Sequence, residues 1–202
     1  MIRALVFDLG GVVIPFDFRR GYAAMEPHCS YPAAEIPKRI RSTDLVRRYE
    51  SGQIDSRAFV AELSRVLDLR VSFDQFCSLW TAIFLPGTLI PEEFFQKLRE
   101  HYRLVALSNT NELHFGQVEQ NYPIIRQFDH LVLSYRVGCA KPDRRIYEEA
   151  IAKTGCNASE CLFIDDVEAY VEGARATGME AIRFEGFPQL AEELSRRGIV
   201  TG

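Results

Sequence analysis

The sequence predicts an α/β protein: a doubly wound, mostly parallel sheet with a small helical unit inserted after the first strand. Three observations predict it. Residues 2–7 form a short apolar, β-rich run that stops at Asp8 and the pair Gly10-Gly11, the pattern of a buried strand and a tight turn. From residue 16 to 85 the strand patterns vanish and helical spacing takes over. After Pro91, helix-like and strand-like runs alternate, as they do where βα units build a parallel sheet.

Each element has its own local reason. In the helical stretch, a run from Asp44 breaks at Gly52. Asp55 then offers a cap for a helix whose apolar positions 58, 59, 63, 66 and 67 share one face. A second helix starting at Ser72 carries apolar positions 73, 76, 80, 83 and 84, and Pro86-Gly87 closes the region. Beyond it the expected order is helix 92–102, strand 104–107, helix 112–120, strand 130–133, a helix after Pro142, strand 161–164, helix 168–177, strand 180–184 and helix 188–197. The first strand must join the later ones in one sheet. The expected division is therefore a Rossmann-like core of residues 1–15 and 86–202 and a helical unit of residues 16–85.

Composition bounds the function classes. The chain has 202 residues, with 47% hydrophobic and 26% charged, a globular balance long enough for a sizeable core. Twenty-four basic against 28 acidic residues give a net charge of −4, which lacks the basic footprint of a nucleic-acid binder. No apolar run reaches the ~18 residues of a membrane span, and Asp8 interrupts the stretch where an export signal needs apolar residues. The five cysteines include no C-x-x-C pair. Reduced thiols and a cytoplasmic location are the expectation. No coiled-coil pattern is present, so a monomer or weak dimer is expected.

In open α/β sheets, ligands bind beyond the carboxyl ends of the strands. Reading the residue after each strand gives Asp8, then Ser108-Asn109-Thr110, then Lys141 after a short loop, then Asp165-Asp166. Taken singly, each has an ordinary structural role. The carboxylates and Ser108-Asn109-Thr110 could cap the helices that follow, and Lys141 before a proline could be a solvated surface residue. Together they set three acids, a cation and a hydroxyl along one edge, a group able to hold a divalent metal and a phosphate at once.

These residues resemble the four motifs of the haloacid dehalogenase superfamily, whose main activity is phosphate-ester hydrolysis. They are Val6-Phe7-Asp8-Leu9-Gly10-Gly11-Val12-Val13, Leu107-Ser108-Asn109-Thr110, Lys141-Pro142 and Phe163-Ile164-Asp165-Asp166. The resemblance covers nearly the whole chain, and the helical unit corresponds to the family's cap. Within the superfamily the chain is similar to the bacterial α-D-glucose 1-phosphate phosphatase group. The likeness lies in Phe7-Asp8-Leu9-Gly10, in Leu107 to Asn111 with His114 nearby, in Lys141 to Tyr147 and in Glu172-Gly173-Ala174.

The resemblance implies a Mg²⁺-dependent phosphatase acting on a small phosphorylated metabolite such as a sugar phosphate. Asp8 would be the nucleophile. Asp8, the Gly10 carbonyl and Asp166 would hold Mg²⁺, and Asp165 would help hold a metal-bound water. Ser108, Asn109 and the backbone of Leu9 and Gly11 would bind phosphate, with Lys141 offsetting charge.

Two departures stand out. Position 10 is Gly, where the family usually has a second Asp that protonates the leaving group, a function typically worth about 10²–10⁴-fold. Tyr170 stands where a carboxylate or amide often supports the metal. His114 or a cap acid such as Glu50 could substitute for the missing Asp. The alternatives are a catalytically weak or inactive homologue that binds a ligand or partner, a phosphoryl-transfer enzyme such as a phosphomutase, and a 2-haloacid dehalogenase. The acidic pair 165–166 argues against the last of these.

Overall fold

A computed structural model of the chain describes residues 1–199. Five parallel strands, β1 (Ala4–Phe7), β2 (Arg103–Ser108), β3 (His130–Leu133), β4 (Cys161–Asp165) and β5 (Glu180–Arg183), form one sheet in the order β3-β2-β1-β4-β5. The expected α/β class and the parallel sheet are both present. Alternation divides the strands between two cores. Leu5 and Phe7 join Leu104, Ala106, Leu162 and Ile164 on one side. Ala4 and Val6 join Val105, Leu107, Cys161 and Phe163 on the other. Both faces are buried, so the strands read as continuous apolar runs rather than half-polar ones.

Five helices lie between β1 and the rest of the sheet: α1 (Phe18–Met25), α2 (Ile36–Arg41), α3 (Leu45–Glu50), α4 (Ser56–Leu67) and α5 (Phe73–Thr81). They enclose a core of their own that includes Met25, Tyr49, Phe59, Leu63, Phe76 and Trp80. Asp55 caps α4 by accepting from the Ala58 N–H at 2.8 Å, and Ser72 with Gln75 closes a reciprocal cap on α5. In α4 the buried apolar positions are 59, 60, 63 and 67, one step rotated from the expected face. α1 did not stand out in the sequence, because it is short and half its residues face solvent.

The remaining helices are α6 (Glu92–Arg99), α7 (Glu112–Asn121), α8 (Ser134–Val137), α9 (Arg144–Thr154), α10 (Glu168–Arg175) and α11 (Phe187–Arg196). Element ends shift by up to three residues from expectation. The shifts of three are at α5, which stops at Thr81 and leaves the expected positions 83 and 84 beyond it, and at α6, which stops at Arg99 while β2 begins one residue earlier than expected. Among the described residues no helix is long and apolar enough to cross a membrane.

The chain leaves β1 for β2 on one side and later crosses to β4 on the other. β1 and β4 thus flank the point where strand order reverses, the place where such sheets bind ligands.

Candidate active site

Asp8 follows β1 directly, Ser108 ends β2 and Asp165 ends β4, so neighbouring strands deliver all three to one edge. Lys141 arrives from the loop before α9. Its Nζ lies 3.0 Å from Asp8 Oδ1 and 2.5 Å from Asp165 Oδ2. Lys141 and Asp165 are both buried, so the solvated surface lysine that one reading of the sequence allowed is ruled out. Burial works to lower the Lys141 ammonium, but Asp8 and Asp165 outweigh it and hold it above the usual lysine range. Burial pushes the Asp8 carboxyl up, Lys141 pulls it down and the charge of Asp165 pushes it up again.

Asp165 is tied at both oxygens. One takes the lysine and the other accepts the Val167 N–H at 2.8 Å. Asp166 is half-buried, and its carboxyl is raised by burial and by Asp165. Gly11 lets it approach. A Cβ on Gly11 would stand 2.7 Å from Asp166 Oδ2, and the φ of +78° is itself one that glycine adopts most readily.

Oxygens of Asp8, Asp165 and Asp166 lie within 4.8 Å of one another. Three carboxylates facing one ammonium leave an excess of two negative charges in a mostly buried space. A hard divalent cation with oxygen ligands matches that charge and donor set.

The capping readings of these residues do not hold. α7 is capped by Asn111, whose Oδ1 accepts the His114 N–H, not by Ser108, Asn109 or Thr110. The loop after β2 is set instead by Ser134, which exchanges two hydrogen bonds of 2.9 Å with the Thr110 backbone. Ser108 is buried and lines a cavity of about 90 Å³ with Leu9, Gly10, Asn109 and Glu50. The side-chain amide of Asn109 is occupied: it accepts from the Lys141 N–H at 2.8 Å and donates to the Lys141 carbonyl at 3.0 Å. That clamp fixes the backbone carrying the lysine and leaves the main chain of Asn109 as the group available to an anion.

Tyr170 completes the clamp. It accepts a long hydrogen bond of 3.4 Å from Asn109, and its ring centre lies 5.0 Å from Lys141 Nζ. Tyr147 donates to the Tyr170 carbonyl at 2.9 Å, and Gly173 makes room for it, since a Cβ there would meet the Tyr147 hydroxyl at 2.6 Å. Residues from two of the sequence motifs therefore pack against each other behind the lysine.

His114 is buried rather than on the surface. Its Nε2 lies 3.1 Å from the Trp80 carbonyl, which can only accept, so Nε2 carries the proton and Nδ1 accepts from Asn111. Burial lowers its pKa to about 4. A neutral ring with both nitrogens engaged is a poor proton donor, so His114 joins α5 to α7 rather than substituting for the missing acid.

Two residues and one close contact escaped the sequence reading. The Phe16 ring occupies the space beside Gly10. The Tyr49 hydroxyl accepts the Leu113 N–H and donates to Ser56, fastening the helical insertion to α7. Gly52 was visible as a helix end, but not as a point of close approach to the Tyr135 carbonyl. Only the positive φ at Gly52 had any local signal, the glycine itself.

A family model described as haloacid dehalogenase-like hydrolase matches residues 2–178. A D-ribitol-5-phosphate phosphatase of Bacteroides thetaiotaomicron is 24% identical over 96% of this chain and 98% of its own length. A phosphatase of Mycobacterium tuberculosis is 28% identical over 89% of this chain and 86% of its own. The crystal structure of a HAD family enzyme from Bacteroides thetaiotaomicron, in complex with magnesium and inorganic phosphate, aligns with a TM-score of 0.81. The two are 25% identical, over 92% of this chain and 96% of that one.

Proposed function

The chain belongs to the haloacid dehalogenase-like hydrolases, and from that membership we propose that it is a Mg²⁺-dependent phosphatase of a small phosphorylated metabolite, with Asp8 as nucleophile. The observation that carries this reading is Lys141 held between Asp8 and Asp165 at the switch point of the sheet, beside a third carboxylate. An ammonium at that position screens Asp8 from an incoming phosphate, allowing two anions to approach.

In the reaction, an Asp8 oxygen attacks phosphorus while the ester P–O bond breaks and the alcohol leaves with a proton. Water then attacks the aspartyl-phosphate, breaking its bond to Asp8 and releasing inorganic phosphate. Asp8, Asp166 and the Gly10 carbonyl would hold Mg²⁺, with Asp165 alongside; bound there, the ion would draw negative charge from the phosphoryl oxygens. The Ser108 hydroxyl and the backbone N–H groups of Asn109, Leu9 and Gly11 bind the other phosphoryl oxygens. Asp165 and Asn109 act through Lys141, one setting its head group and the other its backbone.

The helical unit of residues 16–85 serves as the cap that admits the leaving group. A sugar or sugar-alcohol phosphate is the first class to test, in line with the ribitol-phosphate relative. The experiment is phosphate release from a panel of sugar phosphates, nucleotides and phospho-acids, with Mg²⁺ and with EDTA, beside an Asp8→Asn control. Metal-dependent release abolished in the variant is the expected result. One observation favours a second reading, an inactive binding homologue: position 10 has no side chain, and the Phe16 ring crowds the place where its Cβ would stand, at 3.0 Å. Mg²⁺ binding with no turnover on any member of the panel would establish it.

A further inference from the structure

The leaving group needs a proton, and position 10 has no side chain to give one. The structure offers a different donor. Glu50 ends α3 and lines the cavity it shares with Leu9, Gly10, Ser108 and Asn109. It also lines a second, mostly apolar chamber of about 360 Å³ inside the helical insertion, with Tyr22, Met25, Val46 and Trp80 on its walls. The two spaces share Phe18, Glu50, Ile83 and His114. Glu50 therefore stands at the neck between the phosphate edge and the space open to a leaving group.

The charge of the Glu50 carboxyl acts on Tyr170, whose hydroxyl pKa it helps to raise. Among the described residues Glu50 has no hydrogen-bond or ion-pair partner, although Arg41 and Arg47 line the same chamber. Burial alone raises its pKa to about 7, so near neutral pH a large fraction carries the proton. His114, the other titratable group at the neck, is neutral and fully hydrogen-bonded. Trp80, on the wall of the chamber, keeps a buried indole N–H with no acceptor among the described residues.

The position of Glu50 is built rather than incidental. The residue before it, Tyr49, is stacked on Phe59 and hydrogen-bonded to Leu113 and Ser56. Two residues after it, Gly52 has φ +66°, and a Cβ there would lie 2.2 Å from the Tyr135 carbonyl oxygen. The turn carrying Glu50 is thus pressed against α8 on one side and tied to α7 on the other, so the carboxyl is held against the core while the insertion supplies it.

Resting on the phosphatase reading above, we propose that Glu50 is the general acid of this enzyme, delivered from the helical insertion in place of the absent side chain at Gly10. As the ester P–O bond breaks and the Asp8–P bond forms, the Glu50 proton passes to the leaving oxygen, which departs as the alcohol. The carboxylate left behind takes a proton from the water that attacks the aspartyl-phosphate, and the group returns to its starting state.

The test compares two aryl phosphates that differ in their need for an acid, p-nitrophenyl phosphate with a good leaving group and phenyl phosphate with a poor one. kcat/KM is measured for wild type, Glu50→Gln, Glu50→Asp and Asp8→Asn, with melting temperatures to show that each is folded. kcat/KM reports steps through the first irreversible one, the transfer to Asp8. Glu50→Gln is expected to lose about 10²-fold or more on phenyl phosphate but no more than about tenfold on p-nitrophenyl phosphate. Glu50→Asp is expected to recover part of the difference. Equal losses on both esters, or no loss, would overturn the role of Glu50 while Asp8-dependent turnover by wild type upholds the phosphatase. No Asp8-dependent turnover of either ester by wild type would overturn both.

Discussion

Phe16 holds Gly10 as a glycine: a Cβ at position 10 would lie 3.0 Å from Cε1 of the Phe16 ring. A side chain at position 10 thus needs the Phe16 ring to give way by a few tenths of an ångström. Gly10→Asp alone is therefore expected to lower kcat rather than raise it, because the new carboxylate and the ring compete for one place. The double variant Gly10→Asp with Phe16→Ala relieves the contact and should recover activity over the single one. Steady-state phosphate release by both variants decides this; a gain in Gly10→Asp alone would show that the ring yields.

Asn109 acts on Lys141 through the backbone, so its removal should resemble a loss of the lysine's position. Asn109→Ala leaves the Lys141 N–H and carbonyl without their partner, at a cost of about 1–3 kcal/mol in a buried setting. Turnover should fall about 10–100-fold, the scale seen when groups that orient a site's ligands are lost. Denaturant unfolding and kcat measured side by side check both. A variant that loses stability but keeps kcat would limit the clamp to a structural role.

Gly52→Ala places a methyl carbon within 2.2 Å of a carbonyl oxygen at a positive φ. The left-handed backbone alone costs about 1–2 kcal/mol for an L-residue, and the contact adds to it. The turn must lift away from α8, taking Glu50 with it. A fall in melting temperature and a fall in kcat/KM should appear together. Gly138→Ala is the comparison: it has φ +84° but nothing within 4 Å of its Cβ, so strain without displacement is expected there.

His114 predicts a pH dependence of stability. Its folded pKa is lowered to about 4 while the unfolded chain titrates near 6.5. The unfolded state therefore binds a proton first as pH falls, and stability declines between about pH 6.5 and pH 4, by about 3 kcal/mol if the full shift is realised. Urea unfolding of wild type and His114→Gln across that range should differ in slope, with the variant flatter.

Glu50 carries the opposite sign. Its folded pKa is raised from 4.5 to about 7, so the folded state keeps its proton longer and stability declines as pH rises through that window. Glu50→Gln removes the penalty. It should stabilise the fold by about 1–3 kcal/mol above pH 7 and by little below pH 4.5, even as it lowers activity. Melting temperatures at pH 4.5 and pH 8 provide the comparison.

The sequence by itself determined the parallel sheet, the helical insertion and the row Asp8, Ser108, Lys141, Asp165 and Asp166 at one edge. Those features are local: apolar runs of strand length ending in polar residues, caps such as Asp55 and Ser72, and the rule that ligands sit beyond strand ends. What only the tertiary structure decided are relationships between residues far apart in the chain. Asn109 and Lys141 are 32 positions apart, and Tyr49 and Leu113 are 64, yet each pair hydrogen-bonds. The choice of His114 as a link and Glu50 as a free carboxyl also lies beyond composition and spacing. Both are ionisable side chains near one neck, and what distinguishes them is whether folding supplied partners for their polar atoms. His114 found the Trp80 carbonyl and Asn111, and among the described residues Glu50 found no hydrogen-bond or ion-pair partner. A chain's periodicity records which face of an element is buried, but not which polar group meets which once that face is covered.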